Sequence, residues 1–170
     1  MRYVIFATPY GWCGLVTGNQ GLRRVFLPEL AYEDALKNIM ATFPGAIAAP
    51  ERFTELIQAF EGYFAGAITT IAPQLDFAGA TMFQRHVWAA TAAISYGTVQ
   101  TYGDVARRIG RPHACRAVGN ALARNPFPII IPCHRVICRD GSLGGFSATC
   151  GVALKKKLLA LEGIAVTYEK

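Results

Sequence analysis

The sequence predicts two parts of different character: an α/β N-terminal domain with a small antiparallel sheet and helices, over 1–78, and a mostly α C-terminal domain over 79–170. Three observations carry this. Strand-like segments lie near 2–8, 12–17 and 22–27, the last two separated by a Gly18-Asn19-Gln20-Gly21 turn. Two helical periods follow, near 31–43 and 51–65. Beyond residue 82 the pattern is helical around one strand, and two short helices meet at Gly110.

Each element has a local reason. Glycine and asparagine supply the positive φ angles of a hairpin loop, so the second and third strands pair. Leu36, Ile39, Met40 and Phe43 recur at i, i+3, i+4 and i+7, the face of a helix that Pro44-Gly45 stops. Phe53, Leu56, Ile57, Phe60 and Phe64 line the next helix as core. Residues 66–81 lack helical period and read as the linker. Residues 82–95 form a helix with Phe83, Val87, Thr91 and Ile94 inward. Thr101 caps a short helix near 102–109, and Pro112 opens another that runs to about Ala123. Two short helices joined by a tight glycine turn are a helix-turn-helix signal.

Composition narrows the function classes. Hydrophobic residues make up 52% of 170, ample for a packed core, yet no run approaches a membrane span. Met1 to Pro9 reads as a strand rather than a signal peptide. Five cysteines, irregularly spaced, predict free thiols in a reducing compartment, cytoplasmic or nuclear. Residues 1–81 carry a net charge of −2 and residues 82–170 carry +8. A basic half beside a mildly acidic one points to a polyanion, most simply nucleic acid.

The second short helix refines that reading. In His113-Ala114-Cys115-Arg116-Ala117-Val118-Gly119 every outward position except Arg116 is small. A major-groove reader offers long polar side chains to base edges. A helix of small residues approaches a backbone closely instead, so the expected seat is the minor groove, with Arg116 intercalating or filling a gap.

The chemistry is concentrated in Ile131-Pro132-Cys133-His134-Arg135-Val136-Ile137. The apolar run Ile129-Ile130-Ile131 predicts a short buried strand that Pro132 ends. Cys133 then stands at the lip of a core beside His134 and Arg135. Nearby positive charge is expected to lower its thiol pKa, and the thiolate is the nucleophile.

The chain resembles the O6-alkylguanine-DNA alkyltransferases, also called methylated-DNA–protein-cysteine methyltransferases. The likeness runs through Tyr63-Phe64-Ala65-Gly66, Phe83-Gln84-Arg85, Val87-Trp88, Thr101-Tyr102-Gly103, Arg116-Ala117-Val118-Gly119 and Asn125-Pro126. It continues through the Pro132-Cys133-His134-Arg135-Val136 signature, Leu158-Leu159 and Glu162-Gly163. The resemblance implies a ribonuclease-H-like N-terminal domain and a helix-turn-helix (winged-helix-like) C-terminal domain. It also implies direct, irreversible transfer of an alkyl group from guanine O6 in double-stranded DNA to a cysteine, without cofactor and once per molecule. O4-alkylthymine is a second conceivable substrate, and the chain is expected to act as a monomer without membrane attachment.

By the same resemblance Cys133 is the acceptor, and His134 takes its proton through a water. Glu162 orients His134, and Asn125 holds the active-site turn. Tyr102 donates to guanine N3 as the base departs. The carbonyls of Cys133 and Val136 accept from the exocyclic amine, and the Ser147 N–H donates to O6. Arg116 fills the stack after the nucleotide is flipped out, a step that chemistry on a paired base requires. Ala114, Cys115, Ala117 and Gly119 fit the DNA-facing helix. Phe146 replaces the family's common tyrosine in the pocket wall, and Ser147-Ala148-Thr149-Cys150-Gly151 is poorer in glycine than usual, which puts tolerance of bulky alkyl groups in question. The N-terminal half has Cys13 but no histidine, so no zinc site is expected there, nor an appended zinc-bearing regulatory domain.

Other classes remain at this point. A non-catalytic binder of alkylated DNA would lack Cys133. A helix-turn-helix regulator would show strong sequence preference on duplex DNA. A zinc module of Cys115, Cys133, His134 and Cys138 would need adjacent residues to converge on one tetrahedral ion.

Overall fold

The computed structural model describes residues 1–146 and 151–165. Its contacts divide the chain into two compact units, Met1–Phe77 and Ala78–Lys170. Among the described residues no helix is long and apolar enough to cross a membrane.

The first unit is built on three strands, β1 (Arg2–Thr8), β2 (Gly11–Gly18) and β3 (Gly21–Glu29), followed by α1 (Tyr32–Thr42), β4 (Ile47–Ala48) and α2 (Thr54–Phe64). The sheet order is β3-β2-β1-β4. Thr8 Oγ1 donates to the Gly11 carbonyl at 2.7 Å and closes the first hairpin. Gly11 is required there: at φ +124° a Cβ would stand 2.2 Å from the Glu29 carbonyl oxygen. The inward faces pack Val4, Phe6, Leu15, Leu22 and Val25 with Ile39 of α1 and Phe60, Tyr63 and Phe64 of α2 among the buried core residues. Phe6 and Phe60 meet edge to face at 5.8 Å, a geometry that suits the ring quadrupoles.

One strand departs from the expected antiparallel sheet. β4 runs parallel to β1, pairing Arg2 with Ile47 and Tyr3 with Ala48. The α1 crossover returns the chain to the far edge of β1 in the same direction as β1. Two exposed residues show no alternation, so the sequence carried no sign of this strand.

The second unit contains α3 (Met82–Ala92), β5 (Gln100–Thr101), α4 (Tyr102–Arg108), α5 (Cys115–Ala123), a 3-10 turn (Cys133–Arg135), β6 (Val136–Ile137) and α6 (Gly151–Leu161). Thr81 and Gln84 form a reciprocal capping box that starts α3, and Thr101 and Asp104 form another that starts α4. At the end of α4, Gly110 takes φ +71°. The Gly110 N–H donates to the Arg107 carbonyl at 3.0 Å and the Arg111 N–H to the Ala106 carbonyl at 2.9 Å. This is a Schellman turn, and glycine is its natural residue. Trp88 Nε1 donates to the Ala121 carbonyl at 2.9 Å and staples α3 to α5.

Two expectations are corrected. The helix placed from Pro112 begins three residues later, at Cys115, because Pro112 to Ala114 form a turn in which the Ala114 N–H bonds the Arg111 carbonyl. Ile129 to Ile131 are not a strand: Ile129 has φ +74° and the segment is a turn. Asn125 explains why. Its Oδ1 accepts from the Phe127 N–H at 2.9 Å and its Nδ2 donates to the Ile131 carbonyl at 2.8 Å, closing the chain on itself. The actual strand is β6, just after the cysteine, paired in parallel with β5. A β-branched residue in the left-handed region costs about 1–3 kcal/mol, so the turn around Asn125 holds Ile129 against its own preference.

Candidate active site

The β5–β6 pairing sets Gln100 opposite Val136 and Thr101 opposite Ile137. Tyr102 therefore leaves β5 where Cys138 leaves β6. The phenol oxygen of Tyr102 and the sulfur of Cys138 both border Gly144, where an added Cβ would lie 3.0 Å from one and 3.2 Å from the other. A Cβ added at Gly119 of α5 would lie 3.7 Å from the Tyr102 ring, so α5 passes close to the phenol. Burial, together with the nearby thiols of Cys138 and Cys133, pushes the Tyr102 hydroxyl up, so it keeps its proton and acts as a donor.

The turn ordered by Asn125 delivers Cys133 to the 3-10 turn, with Cys133 half-buried and His134 and Arg135 buried behind it. The expected lowering of the Cys133 thiol by adjacent cations is not what the geometry produces. Burial pushes this thiol up, and four groups pull against it: the Asn125 amide, Lys155, and the backbone N–H groups of Cys133 and His134. Arg135, the cation next in sequence, points elsewhere.

It points at Glu162. Arg135 Nε donates to Glu162 Oε2 at 2.7 Å and its Nη2 to Oε1 at 2.9 Å, while Nη1 donates to the Ile94 carbonyl at 2.6 Å. The guanidinium also lies over the Tyr96 ring, 5.6 Å from its centre. His134 Nε2 meets Glu162 Oε1 at 2.7 Å, with both side chains fully buried. Burial lowers the His134 pKa, and Arg135 and Lys155 act in the same direction against the raising effect of Glu162. The contact is accordingly a hydrogen bond from a neutral imidazole, and Nδ1 is the ring nitrogen that does not face the carboxylate. Glu162 is itself fixed by chain geometry. It ends α6, where Gly163 takes φ +78° and the Ile164 N–H donates to the Leu159 carbonyl at 2.9 Å, another Schellman turn.

Lys155 belongs to the same cluster, though no sequence signal marked it. Its side chain is buried in the face of α6 formed by Leu154, Leu158 and Leu159. Nζ donates to the Val136 carbonyl at 2.6 Å and to the Leu143 carbonyl. Among the described residues no carboxylate pairs with it. Burial brings its pKa from an ordinary 10.5 down to about 8, against the attraction of Cys133 and Cys138.

The residues expected at the site thus divide clearly. Cys133, His134, Glu162, Asn125, Tyr102 and Val136 converge around the 3-10 turn. Phe146 is half-buried at the end of the described loop, and Ser147, like Cys150, lies outside the described residues. On α5, Val118, Ala121 and Leu122 face inward. Cys115, Arg116 and Ala117 are exposed, with Ala114 and Gly119 partly so. Cys13 is separate from all of this, a buried core thiol whose pKa burial pushes up to about 12. Among the described residues no three His, Cys, Asp or Glu side chains gather in a way that would hold a metal ion.

Asn125→Ala is expected to lose about 2 kcal/mol of stability, at roughly 1 kcal/mol for each hydrogen bond. It is also expected to slow any reaction of Cys133 about tenfold, because the thiol loses both its placement and an amide donor. Urea unfolding and thiol-reaction kinetics on the same preparation check this.

A half-buried thiol, a buried imidazole–carboxylate pair next to it in the chain, and a helix-turn-helix with an exposed second helix are the features of a DNA-directed protein with a cysteine nucleophile. The comparisons with known proteins make the assignment specific. The domain family described as "6-O-methylguanine DNA methyltransferase, DNA binding domain" matches residues 82–164. A methylated-DNA–protein-cysteine methyltransferase of Methanosarcina acetivorans is 40% identical over 163 residues, covering 96% of this chain and 99% of that one. The protein of the same name from Mycobacterium tuberculosis is 44% identical over 162 residues, covering 95% and 92%. Among solved structures, Mycobacterium tuberculosis OGT in complex with DNA superposes with a TM-score of 0.81 at 34% identity, covering 95% of this chain and 92% of that one. The O6-methylguanine-DNA methyltransferase of Pyrococcus kodakaraensis gives 0.71 at 27% identity, covering 96% and 99%. The chain belongs to the methylated-DNA–protein-cysteine methyltransferase family.

Proposed function

We propose that this protein repairs DNA by direct reversal, taking the alkyl group of O6-alkylguanine in duplex DNA onto Cys133, once per molecule. The observation that supports the reading is the buried His134–Glu162 pair directly after Cys133 in the 3-10 turn, with burial lowering the His134 pKa so that the imidazole is neutral and able to accept a proton. Thiolate sulfur attacks the alkyl carbon in line, the S–C bond forms as the C–O6 bond breaks, and the electron pair leaves with the purine. His134 takes the thiol proton through a bridging water, the role its nitrogen away from Glu162 suits. A neutral thiol whose pKa is raised needs such a base more than an exposed one would. Tyr102, held protonated, donates to the departing guanine at N3. The carbonyls of Cys133 and Val136 and the N–H of Ser147 are the base-reading groups.

The target atom is inaccessible inside a duplex, so the nucleotide must be everted. Exposed Arg116 on α5, flanked by Ala117 and Cys115, suits minor-groove entry and replacement of the everted base in the stack. The same reading assigns a ribonuclease-H-like N-terminal domain, a winged-helix-like C-terminal domain, a monomer on duplex DNA, and a cytoplasmic setting where thiols stay reduced.

The test is incubation with a duplex oligonucleotide containing O6-methylguanine, followed by peptide mass spectrometry. The expected result is one methyl group per protein, on Cys133, with guanine restored in equal amount. An unmodified Cys133 in folded protein, or more than one equivalent of repair, overturns the assignment.

A further inference from the structure

We propose that Arg135 is a positioning residue for this relay: clamped across both oxygens of Glu162 and onto the Ile94 carbonyl, it aims the carboxylate at His134 Nε2 and shares its charge, so that His134 remains a neutral base.

The geometry assigns the two tasks separately. Aiming comes from the fork. Nε and Nη2 take one carboxylate oxygen each, at 2.7 and 2.9 Å, and Nη1 anchors the guanidinium to the backbone after α3 at 2.6 Å. A planar bidentate contact fixes the carboxylate plane, which a single hydrogen bond cannot do. The Tyr96 ring covers the guanidinium, and the Tyr96 hydroxyl donates to the Leu161 carbonyl at 3.0 Å, tying the assembly to the end of α6. Neutrality comes from sharing. Oε1 accepts from both His134 Nε2 and Arg135 Nη2, so its negative charge is divided between them.

A carboxylate alone beside a histidine would favour the imidazolium, which cannot accept a proton. Among the described residues the charged groups that act on His134 are Glu162 just past α6, Lys155 of α6 and Arg135 of its own turn; of these Glu162 favours the charged imidazole and the two cations oppose it. Burial is the larger effect in the same direction as the cations. Arg135 is thus the member of the set that both opposes protonation and touches the carboxylate. Its position two residues after Cys133 is incidental, because the two side chains have different partners.

The inference rests on Cys133 acting as alkyl acceptor, and its test is arranged so that the two fail differently. Imidazole NMR follows the His134 titration in the unmodified protein, in Arg135→Lys and in Arg135→Met, with the signal assigned by its loss in His134→Asn. No DNA or alkyl group is needed for that measurement. The expected order of His134 pKa values is lowest in the unmodified protein, higher in Arg135→Lys, and highest in Arg135→Met. Single-turnover methyl transfer at pH 7 is expected to fall about tenfold in Arg135→Met and less in Arg135→Lys, consistent with a misplaced base. Part of that loss should return at higher pH.

An unchanged His134 titration in folded Arg135→Lys overturns the proposal, even if stability falls, since a merely structural arginine would give that pattern. If neither variant folds, the unmodified protein decides: an imidazolium at pH 7 overturns it, and a neutral ring that charges only below the ordinary histidine range supports it. Absence of methyl transfer with the expected titration order refutes the repair assignment and leaves Arg135 as the group that sets His134.

Discussion

Glu162→Gln is expected to slow alkyl transfer about a hundredfold and to destabilise the fold by about 3–5 kcal/mol, the usual consequence of leaving one partner of a buried ion pair alone. The size follows from what the two oxygens do. Oε1 and Oε2 together accept from His134, twice from Arg135 and, at 3.4 Å, from the Gly97 N–H, and the three side chains are buried. An amide of the same shape keeps one acceptor and turns a donor toward a donor. Arg135 then carries a buried charge with only the Ile94 carbonyl and the Tyr96 ring to offset it. His134 loses the group that raises its pKa, so a base already lowered becomes weaker still. Single-turnover kinetics and urea unfolding on the same variant check both halves. A stability loss with unchanged transfer rate would mean that Glu162 braces the end of α6 and takes no part in supplying the thiolate.

The fold was legible where backbone chemistry is local. Gly18-Asn19-Gln20-Gly21 announced a hairpin because few residues tolerate those turns, and β2 and β3 end at Gly18 and begin at Gly21. The helix-turn-helix was legible through Thr101 and Gly110 for the same reason. The Ile129 to Ile131 run was misread because branched apolar residues signal burial whether the chain is extended or turned. The two hydrogen bonds of Asn125, made to residues two and six positions on, and the Ile131 N–H bond to the Phe127 carbonyl decide between them. At the site, the order Cys133-His134-Arg135 suggested one electropositive patch. In the structure His134 and Arg135 both turn to Glu162, 28 and 27 residues away, while the thiol is governed by burial. Lys155 was hidden most completely. It is the first of three consecutive lysines between Leu154 and Leu158. Nothing local distinguishes Lys155, which is buried, from Lys156 and Lys157, which are exposed.

Lys155→Met is expected to reduce alkyl transfer about a hundredfold, the scale seen when one preorganised electrostatic donor is removed from a reacting centre, while changing stability near neutral pH comparatively little. The stability side is a near cancellation. Holding the lysine charged where its pKa has dropped from 10.5 to about 8 costs about 3 kcal/mol, and methionine of similar length removes that cost. Against this, the Val136 and Leu143 carbonyls lose their donor, at about 1–3 kcal/mol each. The rate side has no such offset, because Lys155 is the cation that favours the Cys133 thiolate, and the carbonyl it holds on Val136 is one of the proposed base-reading groups. The pH dependence separates this from a packing defect. Below about pH 8 folded and unfolded chains both carry the Lys155 proton, so the stability difference between parent and variant is constant. Between about 8 and 10.5 the unfolded chain binds more protons than the folded one, and stability rises with pH in the parent alone. By pH 10 the parent should gain about 2 kcal/mol relative to Lys155→Met. Its transfer rate should climb less steeply above pH 8 than the rising thiolate fraction predicts, since the supporting charge is lost as the thiol ionises. Urea unfolding at pH 7 and 10 and transfer rates over the same span test this. Parallel stability curves would show that Lys155 titrates at its ordinary value, and the role assigned to it would fall.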